Sequence, residues 1–219
     1  MRESATRERV KTRALDLLIQ HGYRGVSFGI LAKLLGTTRA NIHYHFGNKE
    51  SLVEEVLEDY VEATLTALKN VWTAPDKTFT SKIEAMVDYS RKRYAKYNTA
   101  SKKGRPWSLI ARMRQDSDVL TAKGRFALQR FGRELHASIT SAIEDAKLRR
   151  ELSSSTPVDD VALQLVSIAN SAGPITQDAG DFDRLEQLYA AFTRILMSAF
   201  GHKEAADNVA TARRKRHSR

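Results

Sequence analysis

Residues 27–49, SFGILAKLLGTTRANIHYHFGNK, constrain this chain more than any other stretch, because two short helical patterns meet there at one glycine. Phe28 to Leu35 sets Leu31, Leu34 and Leu35 on one face, with Ala32 as a small contact point. Ser27 stands where an N-cap belongs, its hydroxyl able to accept an orphaned backbone N–H. Gly36 closes that helix, since a left-handed residue past a helix end costs least as glycine. Thr37 and Thr38 offer the next cap, and a second helix follows from about Arg39 to Phe46. Helix, short turn with glycine, helix predicts a helix-turn-helix whose second helix can lie in a major groove.

The second helix is polar for its length. Ile42 and Phe46, four apart, are its apolar stripe, and a helix that only packed would show more. Arg39 and Asn41 are the side-chain types that make bidentate bonds to guanine and adenine edges, and Thr38 and His43 are placed with them as base readers. Ser27, Tyr44, His45 and Lys49 are expected on the phosphates. A solvated helix joining two core helices would look similar, so on physics alone both readings stand.

These residues also carry a resemblance. Gly22-Tyr23-x-Gly25-Val26-Ser27, then Leu31-Ala32-x-x-Leu35-Gly36-Thr37-Thr38, then Ile42-His43-Tyr44-His45-Phe46-x-Asn48-Lys49-Glu50-x-Leu52 resembles the N-terminal domain of the tetracycline-repressor (TetR) family of transcriptional regulators. The likeness spans about residues 6 to 53. Thr37 stands where the family usually has valine, His43 where it usually has tyrosine, and Gly29 is unusual within the first helix. The resemblance implies a repressor, a homodimer on double-stranded operator DNA, and a small-molecule effector bound by the C-terminal part.

Charge distribution agrees with a polyanion partner. The chain of 219 residues carries a net charge of +10. Residues 1–50 hold nine Lys/Arg and four Asp/Glu, residues 201–219 hold six and two, and the remainder is nearly balanced. The excess sits on the reading unit and on the basic end, where phosphate neutralisation would use it. No run approaches a membrane span, and the charged N-terminus does not read as a secretory signal, which together with zero cysteines fits the cytoplasm.

The rest reads as helices without strand-like alternation: an all-α chain of about nine helices, divided into a helix-turn-helix domain (1–50), a helical effector-binding and dimerisation domain (51–200) and a basic tail (201–219). Helices are predicted over 6–21, 48–72, 79–97, 106–113, 119–148 and 158–172, the last stopped by Gly173-Pro174, with a final one from Asp181 or Asp183 to Phe200. Thr156 and Pro157 are expected as N-cap and first residue of the helix at 158, and Pro106 as the first residue of its own. The long helix from Asn48 is apolar on two sides and is expected to join the two domains.

The last two helices are too apolar to face water all round. Leu165, Ile168, Leu185, Tyr189, Phe192 and Leu196 are therefore expected at a two-fold interface. Met86, Tyr89, Trp107, Ile110, Phe126 and Asn170 are the candidate effector-pocket residues, each also plausible as plain core.

No enzyme chemistry is supported, so catalytic, metal and cofactor assignments are none. His43 and His45 diverge on a helix, His136 and His202 stand alone, and Glu54-Glu55 and Asp159-Asp160 suit helix starts. Two alternatives remain beside the regulator: a helical module binding nucleic acid or membrane surface non-specifically through basic faces, and a small-molecule-binding helical protein without a regulatory role.

Overall fold

The computed structural model describes residues 2–202, with side chains from residue 5. The basic sequence from 203 onward, most of the expected tail, lies outside the described residues. The described residues form nine α-helices: α1 Arg2–His21, α2 Phe28–Leu35, α3 Arg39–Phe46, α4 Lys49–Trp72, α5 Phe79–Tyr97, α6 Leu109–Gln115, α7 Ala122–Leu148, α8 Val158–Ala179 and α9 Asp183–Phe200. Short 3-10 turns sit at Tyr23–Gly25 and Ser117–Val119. None of these helices is long and apolar enough to cross a membrane.

Capping chemistry sets most of the boundaries. Ser27, Thr38, Asn48, Thr78, Ser108 and Thr121 each accept the backbone N–H three residues on, at 2.8–3.3 Å. Each such bond satisfies a donor that the first turn leaves open. Gly36 (φ 64°) and Gly180 (φ 74°) end α2 and α8 in the left-handed conformation.

Three starts and one stop differ from the sequence expectation. α6 begins after Ser108, not at Pro106, and α7 begins after Thr121, because a hydroxyl there captures the open N–H. Pro157 rather than Thr156 precedes α8. α9 starts within the expected range, at Asp183, whose backbone N–H donates to Asp181 Oδ1 at 3.0 Å. α8 runs through Gly173-Pro174 to Ala179. An internal proline costs about 3 kcal/mol, so packing must hold that turn in place. Trp107 Nε1 donates to Thr176 Oγ1 at 2.8 Å, and Thr176 is fully buried. Gly173 lets Ala111 approach, since a Cβ there would lie 3.0 Å from the Ala111 methyl.

One continuous core runs from Val10 through α4 to Leu196. Its N-terminal end joins Val10, Ala14 and Leu18 of α1 to Leu31, Ile42, Phe46 and Leu52. α4 lies along α7, with Arg130 bridging Glu58 (2.7 Å) and Glu62 (3.0 Å). At the far end Ser153 N donates to Phe200 O (2.7 Å) and His202 N to Glu151 O (3.2 Å), tying the end of α9 to the loop before α8.

Among the described residues Lys82 is the one lysine buried in that core, 2% exposed, with Asp145 of α7 at 3.3 Å. A buried ammonium without its partner is costly, whereas removing the charge altogether often is not. Asp145→Asn should therefore destabilise by about 2 kcal/mol, and adding Lys82→Met should recover most of the loss. Urea-unfolding midpoints of the two variants check this; equal midpoints would show that the pair carries no burial cost.

Candidate nucleic-acid interface

α2 and α3 meet at the Gly36-Thr37-Thr38 turn and present a polar outer face. Thr38, Arg39, His43 and Tyr44 are exposed there, Tyr44 at 75%. Ile42 and Phe46 point inward and hold the helix to the core. The unusual Gly29 now has a physical role: a Cβ on it would lie 2.7 Å from a guanidinium nitrogen of Arg39. The arginine lies across the bare backbone of α2, a seat that any side chain at 29 would fill.

Asn41 is turned differently from a free base reader. Its Nδ2 donates to Thr37 Oγ1 at 3.0 Å, a bond that valine at 37 could not accept. The amide is half-buried and already orders the turn, so a base contact from Asn41 uses only its remaining donor and acceptor sites. His43 meets Phe28 edge-on at 6.4 Å between ring centres, and His45 packs between Tyr44 and Phe46.

At the start of α4, Lys49 Nζ sits 4.0 Å over the Tyr23 ring, and Tyr23 OH donates to Glu50 at 3.1 Å. Burial lowers the Lys49 ammonium, against the opposing pull of Glu50 and Asp116. Burial, then the bond to Glu50, pushes the Tyr23 phenol up to about 12. Ser27 Oγ accepts from Ile30 N, leaving its proton for an outside oxygen. The four residues expected on phosphate thus divide: Ser27 and Tyr44 are exposed, while His45 and Lys49 are half-buried behind them.

The N-terminal unit is tied to the body at both ends of α6 and at the end of α5. Tyr23 N donates to Asp116 Oδ2 (2.8 Å), Gln20 Nε2 to Pro106 O (2.6 Å) and Tyr97 OH to Asp16 (3.1 Å). Gly22 makes this approach possible. Its φ is 70°, and a side chain would collide with Asp116 and Arg112.

The inner side of α6 lines a cavity of about 50 Å³ bordered by α4, α5, α7 and α8. Met86, Tyr89, Trp107, Ile110 and Asn170 all lie on its wall. Phe126 does not: it is 56% exposed on the outside of α7, under the Arg133 guanidinium at 5.3 Å. The sequence reading missed Tyr60, Arg93 and Arg114, which line the same space. The available signal was spacing, since Arg93 stands one turn from Tyr89. Arg93 Nη1 donates to Tyr89 OH (2.8 Å) and its guanidinium covers the Tyr60 ring at 4.4 Å, while Tyr60 OH accepts from Leu109 N, the first residue of α6 (3.3 Å).

The expected interface residues need a larger correction. Leu165, Leu185, Tyr189, Phe192 and Leu196 are buried within the protomer and Ile168 is half-buried. The most apolar stripe of each helix faces its own core. The outer sides of α8 and α9 instead expose Leu163 (59%), Leu188 (37%) and Ile195 (70%), beside small residues such as Ser167 and Ala199.

The fold and the capped polar α3 define a helix-turn-helix protein with a helical body. Residues 12–56 match the bacterial regulatory proteins, tetR family, and this chain carries the N-terminal unit of that family. It is 33% identical over 76 residues to the HTH-type transcriptional regulator RutR of Escherichia coli (strain K12), a match spanning 35% of this chain and 32% of RutR. Solved structures extend the likeness to the whole fold. A TetR transcriptional regulator from Chloroflexus aurantiacus superposes with a TM-score of 0.76 at 21% identity, covering 92% of this chain and 99% of that one. A TetR-family regulator from Agrobacterium tumefaciens gives 0.75 at 18%, covering 91% and 100%. Reduced NemR of Escherichia coli gives 0.73 at 18%, covering 87% and 96%.

The Arg39 seat separates stability from recognition. Gly29→Ala should leave stability unchanged or raise it by up to about 1 kcal/mol, since alanine is the better helix former. The same change should displace Arg39 and lower discrimination between upstream DNA of its own gene and scrambled duplex. Arg39→Ala should cost about 1–3 kcal/mol and relax preference at one base position, whereas Lys49→Ala should weaken all duplexes alike and reduce the salt slope by about 1. Anisotropy titrations at two salt concentrations measure all three; undiminished discrimination in Gly29→Ala would remove the seat.

Proposed function

We propose that this protein is a transcriptional repressor. In this reading a homodimer binds a palindromic operator through α3, and a small molecule held between α4 and α8 releases it. Residues 1–50 act as the reading unit and residues 51–200 as the effector-binding and dimerising body, working in the cytoplasm. Thr38, Arg39 and His43 read base edges, Asn41 contributes by ordering the turn, and Ser27, Tyr44, His45 and Lys49 hold phosphates.

The observation that carries the reading is the double attachment of α6. Trp107, Ile110 and Arg114 border the cavity, while Pro106 and Asp116, at the two ends of the same short segment, hold Gln20 and Tyr23 of the reading unit. A molecule in the cavity cannot displace α6 without disturbing the seat of α1. In a dimer the two α3 helices must lie about 34 Å apart to enter successive major grooves, so a small tilt of each unit lowers operator affinity. The effector moves that equilibrium only by its differential affinity for the two states, typically about 1–3 kcal/mol.

Binding to upstream DNA should exceed binding to scrambled duplex by about 10³ or more and persist at 200 mM salt. Equal affinity with a steep salt dependence would reduce the protein to a non-specific polyanion binder. For the dimer, the corrected outer face gives the test. Leu163→Asp with Ile195→Glu should yield folded monomer in sedimentation, because both side chains already face outward. A stable interface of this kind typically buries over about 2,000 Å², so wild type that sediments as a monomer at micromolar concentration would sink the dimer.

A further inference from the structure

The cavity holds two cations with no anion. Arg114 is half-buried, its Nη1 donates to the neutral Asn170 Oδ1 (2.7 Å), and burial lowers its guanidinium with nothing opposing. Arg93 is held by the Tyr89 hydroxyl and the faces of Tyr60 and Tyr89. Among the described residues neither arginine has a carboxylate within ion-pair distance. Other buried or half-buried charges that hold two helices together are paired, as Lys82 is to Asp145 and Arg130 to Glu58 and Glu62. Taking a guanidinium out of water without a counter-charge is among the costliest arrangements a core can keep. It becomes favourable once an anion arrives, and planar guanidinium forks match carboxylates in particular.

The remaining wall is apolar: Leu68, Met86, Trp107, Ile110, Phe131 and Leu135. As it stands the space, about 50 Å³, is far below the 300–1,000 Å³ typical of small-molecule sites. Tyr60, Tyr89 and Arg93 form its outer wall, and the same three residues form the floor of an open groove of about 580 Å³ between α1, α4 and α5. Lys11, Lys92 and Lys96 stand along that groove, with Glu8 and Asp59 on its α1–α4 side. Lys11 pairs with Glu8 (2.7 Å) and Asp59 (2.8 Å) and Lys96 with Asp16 (3.6 Å), which leaves Lys92 as the cation of this rim outside those pairs. The groove is a route by which an anion could reach the wall of one arginine and two tyrosine rings, with Arg93 turning toward it.

We propose that the small molecule taken by this cavity is an organic anion, a carboxylate on an apolar or aromatic body, bound between Arg93 and Arg114 and admitted from the α1–α4–α5 groove. This rests on the reading of the cavity as the effector site. The carboxylate takes the forks of the two arginines, and its body packs against Met86, Trp107 and Phe131. Arg93 lies on Tyr60, whose hydroxyl accepts the first N–H of α6, so drawing Arg93 inward changes the anchor of α6.

The test uses the full chain, with benzoate, 3-phenylpropionate and decanoate as probes, each paired with its primary amide. At least one carboxylate should raise the unfolding temperature of the wild type and bind about 10- to 100-fold more tightly than its amide in calorimetry, as a charge-assisted bond predicts. Arg114→Met should erase that preference while melting no lower than the ligand-free wild type, because it removes an unpaired buried charge. Arg93→Met should erase the preference as well, giving a second readout if Arg114→Met does not fold. An amide that binds as well as its acid, a preference intact in either variant, or no binding by any of the three acids overturns the proposal. Operator release, followed in parallel, separates the two readings. A carboxylate that binds with the expected preference yet leaves operator affinity unchanged upholds the anion site and removes the effector role. A neutral compound that releases operator equally from wild type and variants upholds the effector role and overturns the anion class.

Discussion

The hydrogen bond from Tyr23 N to the Asp116 carboxylate is the point on which the two halves of the molecule depend. It joins the end of α1 to the end of α6 through a backbone donor, which cannot swing away as a side chain could. The approach needs a residue at 22 with positive φ and no Cβ, and Gly22 supplies both. Side chains close the joint as well: Gln20 donates to the Pro106 carbonyl and Tyr97 to Asp16. A joint built this way transmits small rigid displacements, since few torsions lie between the body and the core of the reading unit.

Around that joint the molecule solves two opposite problems. The reading unit must expose polar groups yet stay folded on a small core, and it does so by borrowing the first turns of α4. Leu52 and Val53 are buried with Ile42 and Phe46, and Arg7 of α1 pairs with Glu55 while its guanidinium covers Phe46 at 4.7 Å. The body must instead stay rigid everywhere except near α6. Long helices α4 and α7 run together over most of their length, and charge pairs such as Arg130 with Glu58 fix their register.

What the sequence made legible follows the range of the interactions involved. Caps act over three residues, and Ser27, Thr38 and Asn48 stand where the pattern puts them. The helix-turn-helix was readable for the same reason, because its turn, its caps and its thin apolar stripe are all local. The path of α8 was not. Gly173-Pro174 is a local stop signal, and the helix continues because Trp107, nearly seventy residues earlier, bonds to Thr176. Misplacing the outer face of α8 and α9 has a related cause. Both helices carry two apolar stripes, and composition alone cannot say which one meets Leu135 and Ile139 of α7 and which meets water. The cavity was half legible: five of the six expected residues line one space, but its two arginines were not among them, because arginine is usually exposed.

The narrow cavity and its unpaired charge bear on one another through the same free energy. A ligand that binds only an open form has its apparent affinity reduced by the fraction of molecules that are open. Opening here separates Arg93 from Tyr89 and exposes apolar surface of Met86 and Phe131, which favours the closed form. The half-buried guanidinium of Arg114 acts in the other direction, because any opening that lets more water reach it recovers hydration. A core that kept the same shape with methionine at 114 would be tighter and harder to open. On the proposed reading, the arginine therefore does two things at one position: it supplies a partner for the anion and it brings the open form within reach of a ligand whose coupling to DNA is limited to about 1–3 kcal/mol. The two roles differ in their dependence on the ligand, since hydration of Arg114 favours opening before any anion is present, whereas the ion pair acts only afterwards.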